Sequence, residues 1–301
     1  MQPCQATSLP VSPIDPAGDT RWERVKSITE KLEEGIKALF ASDQYAQYLK
    51  TMSRFHHYSL SNSILIFLQM PQASCVAGYK DWQKKFGRNV RKGEKGIRIL
   101  APIVYGKKKE NTDESDDEED IVTAFKFAHV FDITQTDGKD LPSLGIDELT
   151  GDVDQYNRLF DAIRSACPVP IEFEEISDGA NGYYHLVERR IAIRRGMSQL
   201  QNIKTMIHET AHAMLHALDE NGKRPASVPD QHGRETQAES IAYVICSHYS
   251  LDVSDYSFGY IAGWSSSKEL PESKASLDIV RKTSHDLIVA IDNYMKKEVA
   301  A

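Results

Sequence analysis

The sequence predicts an α+β protein of two domains, and three observations carry that prediction. Apolar residues recur at helical spacing near both ends of the chain. Runs rich in β-branched and aromatic residues lie at 97–105 and 121–131. A segment at 138–151 with glycines, Pro142 and several acids separates two patterned halves. A chain of 301 residues is long enough for two domains, and 41% hydrophobic residues supply a core for each.

Residues 1–18, rich in Pro and Ser, are expected to be a disordered lead-in. Trp22, Val25, Ile28, Leu32, Ile36 and Phe40 predict helix from about 20 to 55, capped by Asp19 or Thr20. Ser61–Leu68 predicts a second helix that stops before Pro71, and Tyr79–Phe86 a short one that ends at Gly87. Ile97–Tyr105 and Ile121–Phe131 read as strands. Between them lie Lys107, Lys108 and Lys109, then the acidic block Glu110–Asp120, whose like charges repel and predict a disordered hairpin loop. Past the linker, Tyr156, Leu159, Phe160 and Ile163 mark a helix. Short strands follow near Ile171–Phe173, Tyr183–Val187 and Ile191–Ile193. Helices are predicted over Ser198–Leu218 and His232–Tyr249, and Leu277, Val280, Leu287, Ile288, Ile291 and Met295 mark a last amphipathic one. The domains so defined run from 19 to 144 and from 145 to 301.

Several classes are set aside on composition. No run of 18 uncharged apolar residues occurs, so no transmembrane helix and no membrane partner are expected, and the N-terminus lacks the pattern of a secretion signal. Cys4, Cys75, Cys167 and Cys246 are scattered without a CxxC pair, which predicts reduced thiols in a cytoplasmic protein rather than a zinc ribbon or a disulfide framework. The net charge of −8 conceals a strong asymmetry along the chain.

The strongest local signal is His208-Glu209-Thr210-Ala211-His212. Histidines four apart on a helix project from one face, so both imidazoles reach a single Zn²⁺. A bound zinc acidifies its water, and Glu209, one residue on, is placed to take that proton as general base during attack on a carbonyl. A third ligand is required. The metzincin pattern asks for histidine at 218, where this chain has Leu218. The next helix offers Glu235 and Glu239, four apart on one face. In metallopeptidases of the Glu-zincin type a Glu ligand is often followed four residues later by an acid that holds a ligating histidine. That resemblance assigns Glu235 as ligand and Glu239 as supporting acid, with the reverse assignment open. His216 continues the same helical face, in packing or in support of the ligands.

The second signal is basic. Lys80, Lys84, Lys85, Arg88, Arg91, Lys92, Lys95 and Arg98 crowd a stretch opposed only by Asp81 and Glu94, with Tyr79, Trp82, Phe86 and Tyr105 interleaved. Phosphates attract such a patch, and aromatic rings stack on unpaired bases, which favours single-stranded DNA over duplex. Trp82 and Phe86, four apart, are assigned to the core.

These residues also carry a resemblance. Tyr58-Ser59-Leu60-Ser61-Asn62, Gln69-Met70-Pro71, Val76 to Trp82, Gly87 to Ile97 and Val130 to Thr136 together resemble the N-terminal domain of ArdC antirestriction proteins. The C-terminal half is similar to the ImmA/IrrE-type group of zincin-like metallopeptidases. The resemblance implies a single-stranded-DNA-binding domain joined to a metallopeptidase-like domain, in an antirestriction protein of a conjugative mobile element that acts on an unknown protein substrate. The acidic block 110–120 departs from that pattern. Two other outcomes stay open at this point: a DNA-coating protein whose zinc is purely structural, and a peptidase that cleaves a transcriptional repressor.

Overall fold

The computed structural model describes residues 12–40, 44–104, 122–141, 153–177, 179–256, 258 and 270–299. Tyr105, Lys107 to Lys109, the acidic block and most of the linker lie outside the described residues. Two units emerge. One holds the chain up to Gly35 with Ser61–Leu141, the other Ile36–Leu60 with the chain from Pro142 onward.

In the first unit, α1 (Arg21–Phe40) opens on a capping box. Thr20 Oγ1 accepts from the Glu23 amide at 3.2 Å, and the Glu23 carboxylate accepts from the Asp19 and Thr20 amides at 3.0 and 2.9 Å. Gly35 lets α1 close on α3 (Leu60–Gln69), because a Cβ there would lie 2.5 Å from Leu68 Cδ1. An antiparallel sheet follows in the order β1 (Val76–Gly78), β4 (Val122–Asp132), β3 (Ile97–Val104). Ile97, Ile99 and Val130 on its inner face are buried.

β3 is an edge strand, and α3 closes it with two side-chain amides. Asn62 donates to the Leu100 carbonyl and accepts from the Leu100 amide, both at 2.9 Å. Two helical turns on, Gln69 donates to the Arg98 carbonyl at 2.9 Å and accepts from its amide at 3.0 Å. These groups stand where a neighbouring strand would, so the edge does not recruit one. Residues 12–18 do not behave as the lead-in expected from composition. Ser12 donates to the Gln69 carbonyl at 2.9 Å, and Arg98 holds the Ile14 carbonyl at 2.8 Å and the Asp15 carboxylate.

Trp82 on α4 (Tyr79–Lys84) is fully buried and donates to the Phe131 carbonyl at 2.8 Å. Phe86, expected in the core with it, is 37% exposed. The helix stops before Gly87, whose φ of +63° suits glycine. β2 (Arg88–Val90) then pairs antiparallel with β5 (Thr136–Gly138), which follows one 3-10 turn at Ile133–Gln135.

The second unit holds a mixed sheet in the order β6 (Ile171–Glu174), β8 (Arg190–Arg194), β7 (Gly182–His185). β6 runs parallel to β8, and β7 runs antiparallel to it. α6 (Gln199–Leu215) packs on β7 and β8, and α7 (Gln231–His248) on α6. α8 (Leu270–Val299) lies on α5 (Val153–Ala166) and on α7. α2 (Gln44–Arg54) also packs on α7: Tyr45 Oη is 2.9 Å from Ser240 Oγ, and Tyr48, Leu49 and Met52 are buried. The helix expected from 20 to 55 is therefore two helices, with 41–43 outside the described residues, and residues 36–60 group with the second unit. No helix among the described residues is long and apolar enough to cross a membrane, and Cys75, Cys167 and Cys246 are free thiols.

Candidate functional site

α6 and α7 face each other, and each is started by a side chain that fixes its register. Ser198 Oγ accepts from the Gln201 amide at 3.2 Å to begin α6, and Asp230 Oδ1 accepts from the Gly233 amide at 2.8 Å to begin α7. Four-residue spacing then turns His208 and His212 of α6 towards Glu235 and Glu239 of α7.

The two glutamates part company here. Glu235 Oε2 lies 3.5 Å from Nε2 of His208 and 3.5 Å from Nε2 of His212, and those two nitrogens are 3.1 Å apart. Four ligands held tetrahedrally at zinc bond lengths are separated by about 3.3 Å. The triangle of two imidazole nitrogens and one carboxylate oxygen therefore fits a divalent ion without rearrangement, and these three residues form a metal-competent cluster among the described residues. Glu239 sits elsewhere, its Oε2 3.2 Å from His208 Nδ1. It accepts that N–H, so that Nε2 is the His208 nitrogen left facing Glu235.

His212 is oriented by His216, which spacing placed on the same helical face, and through it by Gln237 and Ser276, which spacing did not single out. Gln237 Nε2 donates to Ser276 Oγ at 3.0 Å, which turns its Oε1 to His216 Nε2, also at 3.0 Å. His216 Nε2 thus carries the proton and its Nδ1 is bare. That Nδ1 lies 2.9 Å from His212 Nδ1, which donates to it and leaves the His212 Nε2 lone pair facing Glu235. Burial lowers the His216 pKa to about 4, against the hydrogen bond to Gln237, so the ring is neutral as this relay requires. The available signal was His216 one turn beyond His212, and Gln237 between the two acids. Gln237→Ala should weaken divalent-metal affinity by about 10–100-fold with the ligand triangle intact, as read by competition with a chromogenic chelator. Unchanged affinity would remove the relay.

The remaining electrostatics follow from the same packing. Burial opposes a charge on His208, but hydrogen bonds to Glu235 and Glu239 outweigh it and hold its pKa up at about 10. The hydrogen bond from His208 holds the Glu235 carboxyl well below the usual carboxylate range. Glu209 is buried, and burial pushes its pKa up against the pull of the two imidazoles, while the Tyr184 backbone amide hydrogen-bonds its carboxylate. Tyr184 belongs to β7, one of the two edge strands of the sheet. Gly182 allows β7 to lie this close to α6, since a Cβ there would be 2.6 Å from Thr205 Cγ2 and 2.7 Å from the Ala192 carbonyl oxygen.

Cavities open on both sides of the cluster. One of about 400 Å³ is lined by Lys204, Thr205, Asp255 and Tyr256, another of about 300 Å³ by Tyr183, Leu186, Arg224 and Arg234, and His208, Glu209 and Glu235 border both. Lys204 is another residue the motif did not flag. It is buried, pairs with Asp255 at 3.1 Å and lies 5.0 Å from the centre of the Tyr256 ring.

The basic residues of the first unit divide. Lys80, Lys84, Lys85, Lys92 and Lys95 are exposed, Lys85 pairing with Asp81 at 3.0 Å. The three arginines are turned inward. Arg88 is buried and donates to Thr136 Oγ1 at 2.7 Å, to the Thr136 carbonyl at 2.9 Å, and to the carbonyls of Gly138 and Lys139. Arg91 is tied to Glu94, Asp137 and the Thr134 carbonyl, and Arg98 to Asp15 and Ile14. A guanidinium with five donors satisfies turn carbonyls that lysine cannot reach in parallel, and in sequence it reads as the same surface charge.

Fold and site together define an α+β protein whose second unit sets a His-Glu-x-x-His helix against an acid-bearing helix. Residues 19–131 match the family described as the N-terminal domain of anti-restriction factor ArdC. It is 25% identical over 309 aligned positions to an uncharacterized protein of Bacillus anthracis, covering 90% of this chain and 51% of that one, so the chain spans about half the length of this curated relative. Among solved structures it is similar to the Mn(II)-bound antirestriction ArdC protein of plasmid R388, with a TM-score of 0.50 and 17% identity, covering 88% of this chain and 97% of that one. The metal-free form of the same protein gives a TM-score of 0.47 and 21% identity over 81% of this chain and 85% of that one.

Proposed function

We propose that this chain is an antirestriction-type protein of a mobile element, whose first unit binds single-stranded DNA and whose second carries a zinc-dependent peptidase site. The observation that carries the peptidase reading is the ligand triangle with Glu209 beside it and open cavities on either side. A purely structural zinc would be closed by four protein ligands, whereas three converge here among the described residues. Two cavities that share His208, Glu209 and Glu235 as lining suit a substrate extending on both sides of its reacting bond.

The ion, when bound, would acidify a water and polarise a carbonyl. The rest is done by the chain. β7 is an edge strand, and an extended peptide would pair with the edge groups that Glu209 does not hold. Glu209, its carboxylate placed by the Tyr184 amide, takes the proton of the attacking water and returns it to the leaving nitrogen. Burial keeps Glu209 a stronger base than an exposed carboxylate.

The metal reading has a direct test in pH. The raised His208 pKa of about 10 means that the metal-free site carries a proton there. That proton contributes stability fully below the unfolded pKa, about 6.5, and loses it as pH rises through the folded value. Zinc must displace it, so affinity should rise about tenfold per pH unit between about pH 6 and 8, with one proton released per ion. Isothermal titration in buffers of different ionisation enthalpy reads both quantities. Zinc binding independent of pH would remove His208 from the ligand set.

A further inference from the structure

The outer face of the first unit's sheet is unusually apolar. Alternation along β4 puts Val130, paired with Ile97, on the buried side. Phe125, Phe127, His129 and Phe131 then share the opposite side. A sheet solvated on one face ordinarily carries polar residues there. This one carries three phenylalanines, with Phe125 47% exposed, His129 exposed, and Phe127 and Phe131 half-buried. Tyr79 extends the row: it is 55% exposed and its ring centre lies 6.2 Å from that of Phe131. Gly96 lies against the Phe131 end of the row, since a Cβ at 96 would come within 3.0 Å of Phe131 Cζ. The exposed Lys80 and Lys95 adjoin Tyr79 and Gly96 in sequence, so positive charge borders the Phe131 end of the row.

The geometry points to this aromatic row as a base-stacking platform for single-stranded nucleic acid, with the flanking lysines on its phosphates. Alternate residues of a strand are about 6.8 Å apart, twice the roughly 3.4 Å rise of a stacked nucleotide. An unpaired strand stretched to about twice its duplex rise meets one ring per base, whereas the bases of a duplex stay stacked on each other. The inference rests on the single-strand-binding reading of the first unit and assigns the surface that performs it.

The test is fluorescence anisotropy of the full chain with labelled oligothymidine and with duplex, across salt concentrations. Tyr79→Ala and Phe125→Ala should each weaken single-strand binding by about tenfold without changing its salt slope. Phe125→Leu, which keeps apolar bulk without a π face, should lose as much, and Phe125→Trp should retain or gain affinity. Lys95→Ala should instead flatten the salt slope by about 0.7. Thermal melts separate these effects from misfolding. If the wild-type chain binds single strands but the Tyr79 and Phe125 variants bind equally well, the platform is wrong and the DNA-binding reading stands. If the wild-type chain binds none at low salt, both fall. A dimer that Phe125→Ala dissociates, with DNA affinity unmoved, would assign the row to a second copy of the chain and overturn the proposal.

Discussion

Glu209→Gln is expected to lower peptide cleavage by about 10²–10⁴-fold while zinc affinity stays close to that of the unaltered protein. The magnitude is that of removing a positioned general base. The dissociation of the two readouts follows from geometry. The converging ligand atoms belong to His208, His212 and Glu235, while the Glu209 carboxylate is held by the Tyr184 amide on β7. His212→Ala is the contrasting variant, since it removes a corner of the triangle and should abolish both properties. A quenched-fluorescence peptide library and a chelator competition on the same preparations decide the matter. If Glu209→Gln weakened zinc as much as His212→Ala, Glu209 would be a ligand. Undiminished cleavage would end its role as base. DNA protection in cells that survives Glu209→Gln would separate proteolysis from antirestriction and leave the first unit to account for it.

What was legible in the sequence is what local spacing encodes. Histidines four apart specify a common face, and periodicity placed the longer strands and most helices, whereas the three-residue strands β1, β2 and β5 and the break between α1 and α2 carried no such pattern. Spacing alone could not tell Glu235 from Glu239, because both occupy one face of α7, and only the resemblance favoured Glu235. The distinction lies in which imidazole nitrogen each one meets across α6, a tertiary fact. α2 joins the second unit through Tyr45, Tyr48, Leu49 and Met52, and nothing in its own sequence names α7 as the partner. Charge was the least transparent signal. Arg88 and Lys92 count alike in a basic run, yet one guanidinium is spent on turn carbonyls and the other side chain is exposed. The aromatic row on β4 escaped notice for a related reason, since alternating phenylalanines in a strand read as core until the sheet shows which face is buried.

Asp132→Asn should cost the protein about 2–4 kcal/mol, an effect out of proportion to an isosteric change. Asp132 is fully buried, and each of its oxygens is committed. Oδ2 accepts from the Ser74 amide at 2.7 Å and the Cys75 amide at 3.0 Å, while Oδ1 accepts from the Thr134 amide at 3.0 Å and its hydroxyl at 2.8 Å. The Asp132 amide in turn donates to Gln135 Oε1 at 2.9 Å, which completes a capping box at the turn joining β4 to β5. A carboxylate accepts at both oxygens, whereas an asparagine accepts at only one. Keeping the Thr134 contacts would therefore aim an NH₂ group at the Ser74 and Cys75 amides and leave both without this acceptor, each at up to about 1–3 kcal/mol. Asparagine should be nearly as harmful as alanine. Urea unfolding would show a lower midpoint at an unchanged slope. A stability for Asp132→Asn within about 0.5 kcal/mol of the original would show that ordered water, rather than this carboxylate, satisfies the Ser74 and Cys75 amides.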